Sequence, residues 1–129
     1  MKGLISIGAI FSLLAVILGA FGAHALAPHL GAKLPVWHTG VQYQMFHGIA
    51  IILTGILMVF LSNRRLLKMA GIAFILGTLC FSGSLYAIGL IQVKNVGYIT
   101  PIGGLLFIIG WGLFLSAVLT SKVDILSHK

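Results

Sequence analysis

A small set of polar side chains in otherwise apolar stretches offers the chain's possible chemistry. Histidine exchanges protons near neutral pH and binds transition metals, and an ionisable group inside a membrane span is a functional candidate by default. Each residue's position on a helical wheel and its depth in the predicted membrane-spanning helix together predict a polar cluster centred on His47. Its candidate members are Gln44, His47, Ser84, Tyr86 and Thr100, with His24, His38 and Gln42 as secondary candidates.

Two interpretations of this cluster stay open. The first is hydrogen bonding between helices, because an amide or an imidazole without a partner in hydrocarbon costs several kcal/mol. The second is small-ligand, metal, haem or proton handling through His47. His24, His38 and His47 are not at the i, i+4 spacing that lets one helix bind a metal twice, so no cofactor and no metal is expected.

The chain has a single acidic residue, Asp124, and a single cysteine, Cys80. It therefore has no carboxylate pair for acid–base catalysis, and no acidic residue is available to orient a Ser–His dyad. A lone cysteine in an apolar run forms neither an internal disulfide nor a paired-cysteine metal site. We expect that the protein is not an enzyme.

The composition points to a membrane as the solvent. Of the 129 residues, 60% are apolar and 7% are charged, far below the quarter that a soluble surface takes from Asp, Glu, Lys and Arg. The mean hydropathy is +1.17 and the net charge is +7. The basic residues separate apolar stretches and do not alternate with aromatic ones, so they indicate topology and no nucleic-acid partner is expected.

Four charge-free stretches each exceed the roughly 20 residues that cross a bilayer. They predict an all-α fold, an integral membrane four-helix bundle formed by a single domain, residues 1–129. The first stretch is too long for the apolar region of a signal peptide. Pro35 and the Thr100-Pro101 pair predict the starts of the second and fourth helices, with Thr100 as a cap. The predicted spans are 3–23, 35–61, 66–91 and 101–120, followed by a tail, 122–129.

The placement of lysine and arginine predicts the orientation. Lys33 and Lys94 lie on one side of the membrane, and the six other basic residues lie on the opposite side. The richer side faces the cytoplasm, which places both termini inside a multi-pass protein of the cytoplasmic (inner) membrane. The polar cluster then lies in the outer half of the bundle. The residues on the cytoplasmic side are Lys2, Arg64, Arg65, Lys68, Lys122 and Lys129.

Small residues are expected to bring the helices together, because lipid tails supply no hydrophobic drive for association. The helical wheel groups Gln44, His47 and Thr54 with three glycines on one stripe of the second span, and this stripe should face protein. The first span carries a stripe of small residues from Gly8 to Ala23. Small faces left over on spans three and four permit a homo-oligomer, and the other expected partners are membrane lipid or another membrane protein.

Four motifs in order resemble the small bacterial membrane proteins grouped as domain of unknown function 423. The most specific is Val41-Gln42-Tyr43-Gln44-Met45-Phe46-His47. The resemblance implies four helices in the cytoplasmic membrane of bacteria, no assigned chemistry, and a part in membrane integrity. We expect a structural or regulatory role in the membrane. The other motifs are Gly19-Ala20-Phe21-Gly22-Ala23-His24, Phe81-Ser82-Gly83-Ser84-Leu85-Tyr86, and Thr100-Pro101-Ile102-Gly103-Gly104 with Gly110-Trp111.

Overall fold

The computed structural model describes residues 1–92 and 95–124 and is almost entirely helical. The position of Lys94 and residues 125–129 of the predicted tail lie outside the described residues. The helices are α1 (Lys2–Ala23), α2 (Ala27–Leu30), α3 (Leu34–Phe60), α4 (Arg64–Ile91) and α5 (Ile99–Thr120), with 3₁₀ turns at Gly31–Lys33 and Asn95–Tyr98.

Four helical segments of the described residues are long and apolar enough to cross a membrane. In chain order they are α1, α2 together with α3, α4, and α5 together with the 3₁₀ turn before it. The predicted all-α membrane bundle is therefore confirmed. The helices differ from the predicted spans by one or two residues at most of their ends. The largest differences are at the starts of α4 and α5, which begin at Arg64 and Ile99.

The helices pack in chain order. α1 lies against α3, α3 against α4, and α4 against α5, so α3 and α4 form the central pair. One end of the bundle carries the short α2 and is called the α2 end below. The opposite end carries the α3–α4 turn and is called the Arg64 end. The core is a cluster of buried side chains from α3, α4 and α5: Ala50, Ile51, Ala70, Phe74 and Phe107.

Glycines set the distance between α1 and α3. A methyl group added at Gly8 would lie 2.6 Å from the carbonyl oxygen of Gly48, and one added at Gly55 would lie 2.8 Å from Cγ1 of Ile5. Close backbone approach of this kind is how small residues hold helices together in lipid. On α1, Gly8, Ala15 and Gly22 are buried, but Ala23, the last residue of the predicted stripe, is exposed.

Phenylalanines interlock with glycines between α4 and α5. Phe107 of α5 lies over Gly77, where an added methyl group would approach its ring to 2.6 Å, and Phe74 of α4 lies over Gly110 at 2.7 Å. Gly103 faces the backbone of Phe81 so closely that no side chain fits between them. Each of the two helices therefore packs a phenylalanine ring into the space left by a glycine of the other helix.

The described residues after α5, 121–124, pair with the turn between α3 and α4. The amide of Ser62 donates to the carbonyl of Lys122 at 3.0 Å, and the amide of Asp124 donates to the carbonyl of Phe60 at 2.7 Å. The carboxylate of Asp124 lies 3.4 Å from the guanidinium of Arg64. This antiparallel contact, which no sequence pattern predicts, closes the Arg64 end.

Candidate functional site

His47 lies at the centre of the predicted cluster, and both of its ring nitrogens are hydrogen-bonded. Its Nδ1 lies 2.8 Å from the carbonyl oxygen of Tyr43, one turn earlier in α3. Its Nε2 accepts a hydrogen bond of 3.1 Å from the indole nitrogen of Trp111 on α5. A carbonyl only accepts and an indole N–H only donates, so Nδ1 carries the proton and Nε2 carries the lone pair.

These two bonds define the chemical state of the ring. A protonated imidazole has two N–H donors, and the donor on Nε2 would then face the indole N–H of Trp111. A metal would need the same Nε2 lone pair. His47 is therefore held as the neutral Nδ1–H tautomer, and it can bind a proton or a metal at Nε2 only if Trp111 moves away.

Aromatic rings surround the imidazole of His47, whose residue is 5% exposed. The ring of Phe107 stacks on it with centroids 3.6 Å apart and planes 11° apart. Phe74 lies 5.5 Å away and is tilted, and Trp111 meets the imidazole edge-on at 6.0 Å. The environment is one in which a neutral imidazole packs as an aromatic side chain.

Gln44 forms a second polar group, which ties three helices together. Its amide nitrogen donates to the carbonyl of Phe11 on α1 at 2.8 Å. Its amide oxygen accepts a 2.6 Å hydrogen bond from the hydroxyl of Tyr86 on α4. The ring of Tyr86 in turn lies against Trp37, with centroids 4.7 Å apart. The amide of Gln44 thus holds α3 in register with both of its neighbours.

Ser84 and Thr100 form a third group, between α4 and α5. Their hydroxyl oxygens are hydrogen-bonded to each other, and the Ser84 hydroxyl also donates to the carbonyl of Phe81. The prediction that Thr100 caps the fourth helix is wrong, because α5 begins at Ile99 and its N-cap residue is Tyr98. Thr100 lies inside the first turn, and its hydroxyl bonds a neighbouring helix.

The hydrogen bonds divide the five cluster candidates among three groups. Gln44 is bonded to Tyr86, Ser84 is bonded to Thr100, and His47 is bonded to Trp111, which was not among the candidates. The secondary candidates His24, His38 and Gln42 are all exposed. Within residues 1–92 and 95–124, no three His, Cys, Asp or Glu side chains are grouped so that they could hold a metal ion.

The stripe on α3 lies where the wheel predicts. Gln44, His47 and Thr54 are 5%, 5% and 0% exposed. The glycines that share the stripe, Gly40, Gly48 and Gly55, are buried as well.

Sequence reasoning missed the two tryptophans as members of the polar network. Trp111 is 43% exposed on α5, yet its indole N–H reaches His47. Trp37 is 1% exposed, and its indole N–H donates to the carbonyl of Leu18 at 2.9 Å. The available signal was chemical: an indole N–H in a membrane span needs an acceptor, and His47 is an acceptor on another span.

Two cavities, of about 470 and 590 Å³, adjoin the His47 site in the space between α3 and α5. Tyr43, His47 and Trp111 line both of them, and the rest of their lining is largely apolar. Both are partly open to the surface of the bundle, at the edge of the aromatic cluster. The indole N–H of Trp111 occupies the Nε2 lone pair of His47 beside these cavities.

Comparison with known proteins places these features in a family. Residues 18–104 match the model of the family described as "Protein of unknown function (DUF423)". The UPF0382 membrane protein YwdK of Bacillus subtilis (strain 168) is 46% identical over 118 residues, which are 91% of this chain and 96% of that protein. The UPF0382 inner membrane protein YgdD of Escherichia coli (strain K12) is 38% identical over 125 residues, which are 94% of this chain and 92% of that protein. No solved structure matches the chain significantly.

Proposed function

The chain belongs to the DUF423 family of membrane proteins, and from that premise we propose that it is a structural or regulatory component of the cytoplasmic membrane that contributes to membrane integrity. In this proposal it performs no catalysis. It acts as a compact four-helix body that contacts lipid, a second copy or another membrane protein. Both termini face the cytoplasm, as the distribution of lysine and arginine indicates.

The saturation of the polar network supports a structural role. A catalytic or transport site keeps donors, acceptors or charges available to its substrate, whereas a structural network uses them internally. Among the buried side-chain nitrogen and oxygen atoms of the described residues, only the hydroxyl of Ser12 has no hydrogen-bond partner. The observation that carries the proposal is the double engagement of His47 by Tyr43 and Trp111.

The contrasting candidate is handling of a small ligand, a metal or a proton by His47. The two cavities beside the ring favour it, because they bring a membrane-soluble ligand to the edge of His47. It requires Trp111 to release Nε2 during the functional cycle. The two candidates therefore make opposite predictions about a residue that keeps the hydrogen bonds but lacks an imidazole.

The substitution His47→Gln separates them. The glutamine amide has a nitrogen that donates and an oxygen that accepts, so it can replace both bonds without a titratable ring. A strain lacking the protein is complemented with wild type or with His47→Gln, and membrane permeability is measured as entry of a normally excluded dye. We expect the deletion strain to admit more dye and both complemented strains to return to the wild-type level.

A matched variant, Gly103→Ala, tests dependence on the fold, because it disrupts the contact between α4 and α5 without touching a polar side chain. It should restore the barrier less than His47→Gln does. A folded His47→Gln protein that fails to complement would overturn the structural proposal and favour the imidazole-dependent one. A deletion strain with an unchanged barrier would remove the role in membrane integrity.

A further inference from the structure

A groove at the Arg64 end combines apolar walls with a cationic rim. It is a cavity of about 340 Å³ between the start of α1, the end of α3 and the start of α4. A close contact between α1 and α4, where Leu4 packs over Gly71 at 3.0 Å from the position of an added methyl group, helps to shape it. Its lining includes Leu4, Ile7, Met58, Lys68, Ile72 and Ile75.

The groove follows one face of α4. Lys68, Ile72 and Ile75 are spaced at i, i+4 and i+7, so they lie above one another on that face. Lys68 belongs to the second turn of α4, near the level at which the helix enters the membrane, and Ile75 lies about 10 Å deeper at 1.5 Å per residue. The charge therefore lies at the depth of lipid headgroups, and the apolar wall extends down to the depth of the acyl chains.

The basic side chains at this end outnumber the acidic side chains of the chain. The whole chain has one acidic side chain, and this residue, Asp124, is paired with Arg64. Lys2, Arg65 and Lys68 lie at the same end of the bundle with no second carboxylate side chain to neutralise them. Anionic lipid in the adjacent leaflet supplies the missing negative charge.

We propose that this groove binds one anionic phospholipid, with the phosphate at Lys68 and an acyl chain along Ile7, Ile72 and Ile75. The apolar walls select a ligand with a chain over a soluble phosphate, and the lysine selects an anionic headgroup over a zwitterionic one. The site is separate from the His47 network. It stands or falls independently of the role in membrane integrity.

Native mass spectrometry of the full-length protein tests the site with a defined mixture of dioleoyl phosphatidylglycerol and dioleoyl phosphatidylcholine. The wild type should retain one phosphatidylglycerol in preference to phosphatidylcholine. The substitution Lys68→Gln should reduce this preference about fivefold, the contribution of one lysine near an anionic surface. The control Lys122→Gln removes an exposed cation from the same end but outside the groove, and it should leave the preference unchanged.

A second pair of variants tests the apolar wall. Ile72 is 45% exposed, so Ile72→Trp can fill the groove and Ile72→Ser can shorten its wall without entering the core. Both should reduce retention of phosphatidylglycerol while every cation remains, and an unchanged thermal midpoint shows that the fold is intact. Excess inorganic phosphate should not displace the lipid.

Three results would overturn the proposal. Equal losses with Lys68→Gln and Lys122→Gln would mean diffuse attraction to the whole end. Full retention in both Ile72 variants would mean that no chain occupies the groove. Displacement of the lipid by inorganic phosphate would mean that the lysine binds any phosphate.

Discussion

At the scale of single residues, the partnership between His47 and Trp111 determines the chemistry of the interior. The indole fixes which nitrogen of the imidazole carries the proton, and the stacked ring of Phe107 fixes its plane. An imidazole in this state acts as a rigid connector between α3 and α5. The same side chain without the indole would have an open Nε2 beside two cavities.

A double-mutant cycle measures this partnership. The free energy of unfolding in detergent is measured for wild type, His47→Phe, Trp111→Phe and the double variant. The coupling energy between the two side chains is calculated from these values. We expect a coupling of about 0.6–1.7 kcal/mol, the range of side-chain hydrogen bonds measured between membrane helices. The control cycle combines His47→Phe with Trp37→Phe. The indole of Trp37 donates to the carbonyl of Leu18 on α1 and not to His47, so the coupling should be close to zero. Equal coupling in both cycles would contradict the assignment.

The sequence predicts positions on a helix better than it predicts partners. The 3.6-residue period of α3 places Gln44, His47 and Thr54 on one buried stripe, and the structure agrees. The pairing across helices depends on the rotation and depth of α4 and α5, which periodicity leaves undetermined. As a result, Gln44 is bonded by Tyr86 on α4, the helix next to α3. His47 is bonded by Trp111 on α5, a residue that the helical wheel gave no reason to select.

At the scale of helices, α4 and α5 are held together by shape. Phe74, Phe81 and Phe107 occupy the spaces that Gly110, Gly103 and Gly77 leave, and such contacts supply the association energy that the hydrophobic effect supplies in water. The sequence could indicate that glycines mediate packing. Which glycines do so depends on which face meets a neighbour. Gly103 faces the backbone of Phe81 and Gly110 faces the ring of Phe74, whereas Gly104 and Gly112 face open space.

Adjacent glycines make a direct test of this packing. In Gly103→Ala the new methyl group collides with the backbone of Phe81, which cannot move as a flexible side chain would, whereas in Gly104→Ala nothing lies within 4 Å of it. We expect Gly103→Ala to lower the free energy of unfolding by about 1–3 kcal/mol, a typical cost of overpacking. Gly104→Ala should be neutral or stabilising by up to about 1 kcal/mol, because alanine favours helix. Thermal unfolding in detergent gives both values, and equal destabilisation would exclude the interlock.

At the scale of the whole molecule, an even number of spans predicts that both termini lie on one side of the membrane. The charge count predicts that this side is the cytoplasm, and the same prediction places α2 and the outer ends of the helices toward the exterior. There Leu30, 1% exposed, packs against Gly89 and so covers part of the α2 end. The sequence predicts this connection only as a loop, since the fit of one leucine to one glycine has no local pattern.

Cysteine labelling tests the orientation. In a protein whose native Cys80 is replaced by serine, Ala32→Cys reports on the α2 end and Arg65→Cys reports on the Arg64 end, and both positions are exposed. A membrane-impermeant maleimide should label the variant at position 32 in spheroplasts, and should label the variant at position 65 only after lysis. The reverse pattern would place both termini outside and contradict the charge count.

The pairing of residues 121–124 with the α3–α4 turn has a consequence for biogenesis. Ser62 receives its partner Lys122, and Phe60 its partner Asp124, only after all four spans have been synthesised, because those partners follow α5 in the chain. Until then residues 121–124 are not beside the turn, and Asp124 is not beside Arg64. The contact between residues 121–124 and the α3–α4 turn therefore forms only after translation has passed the final span. A ribosome stalled inside α5 would hold an inserted intermediate that lacks this contact.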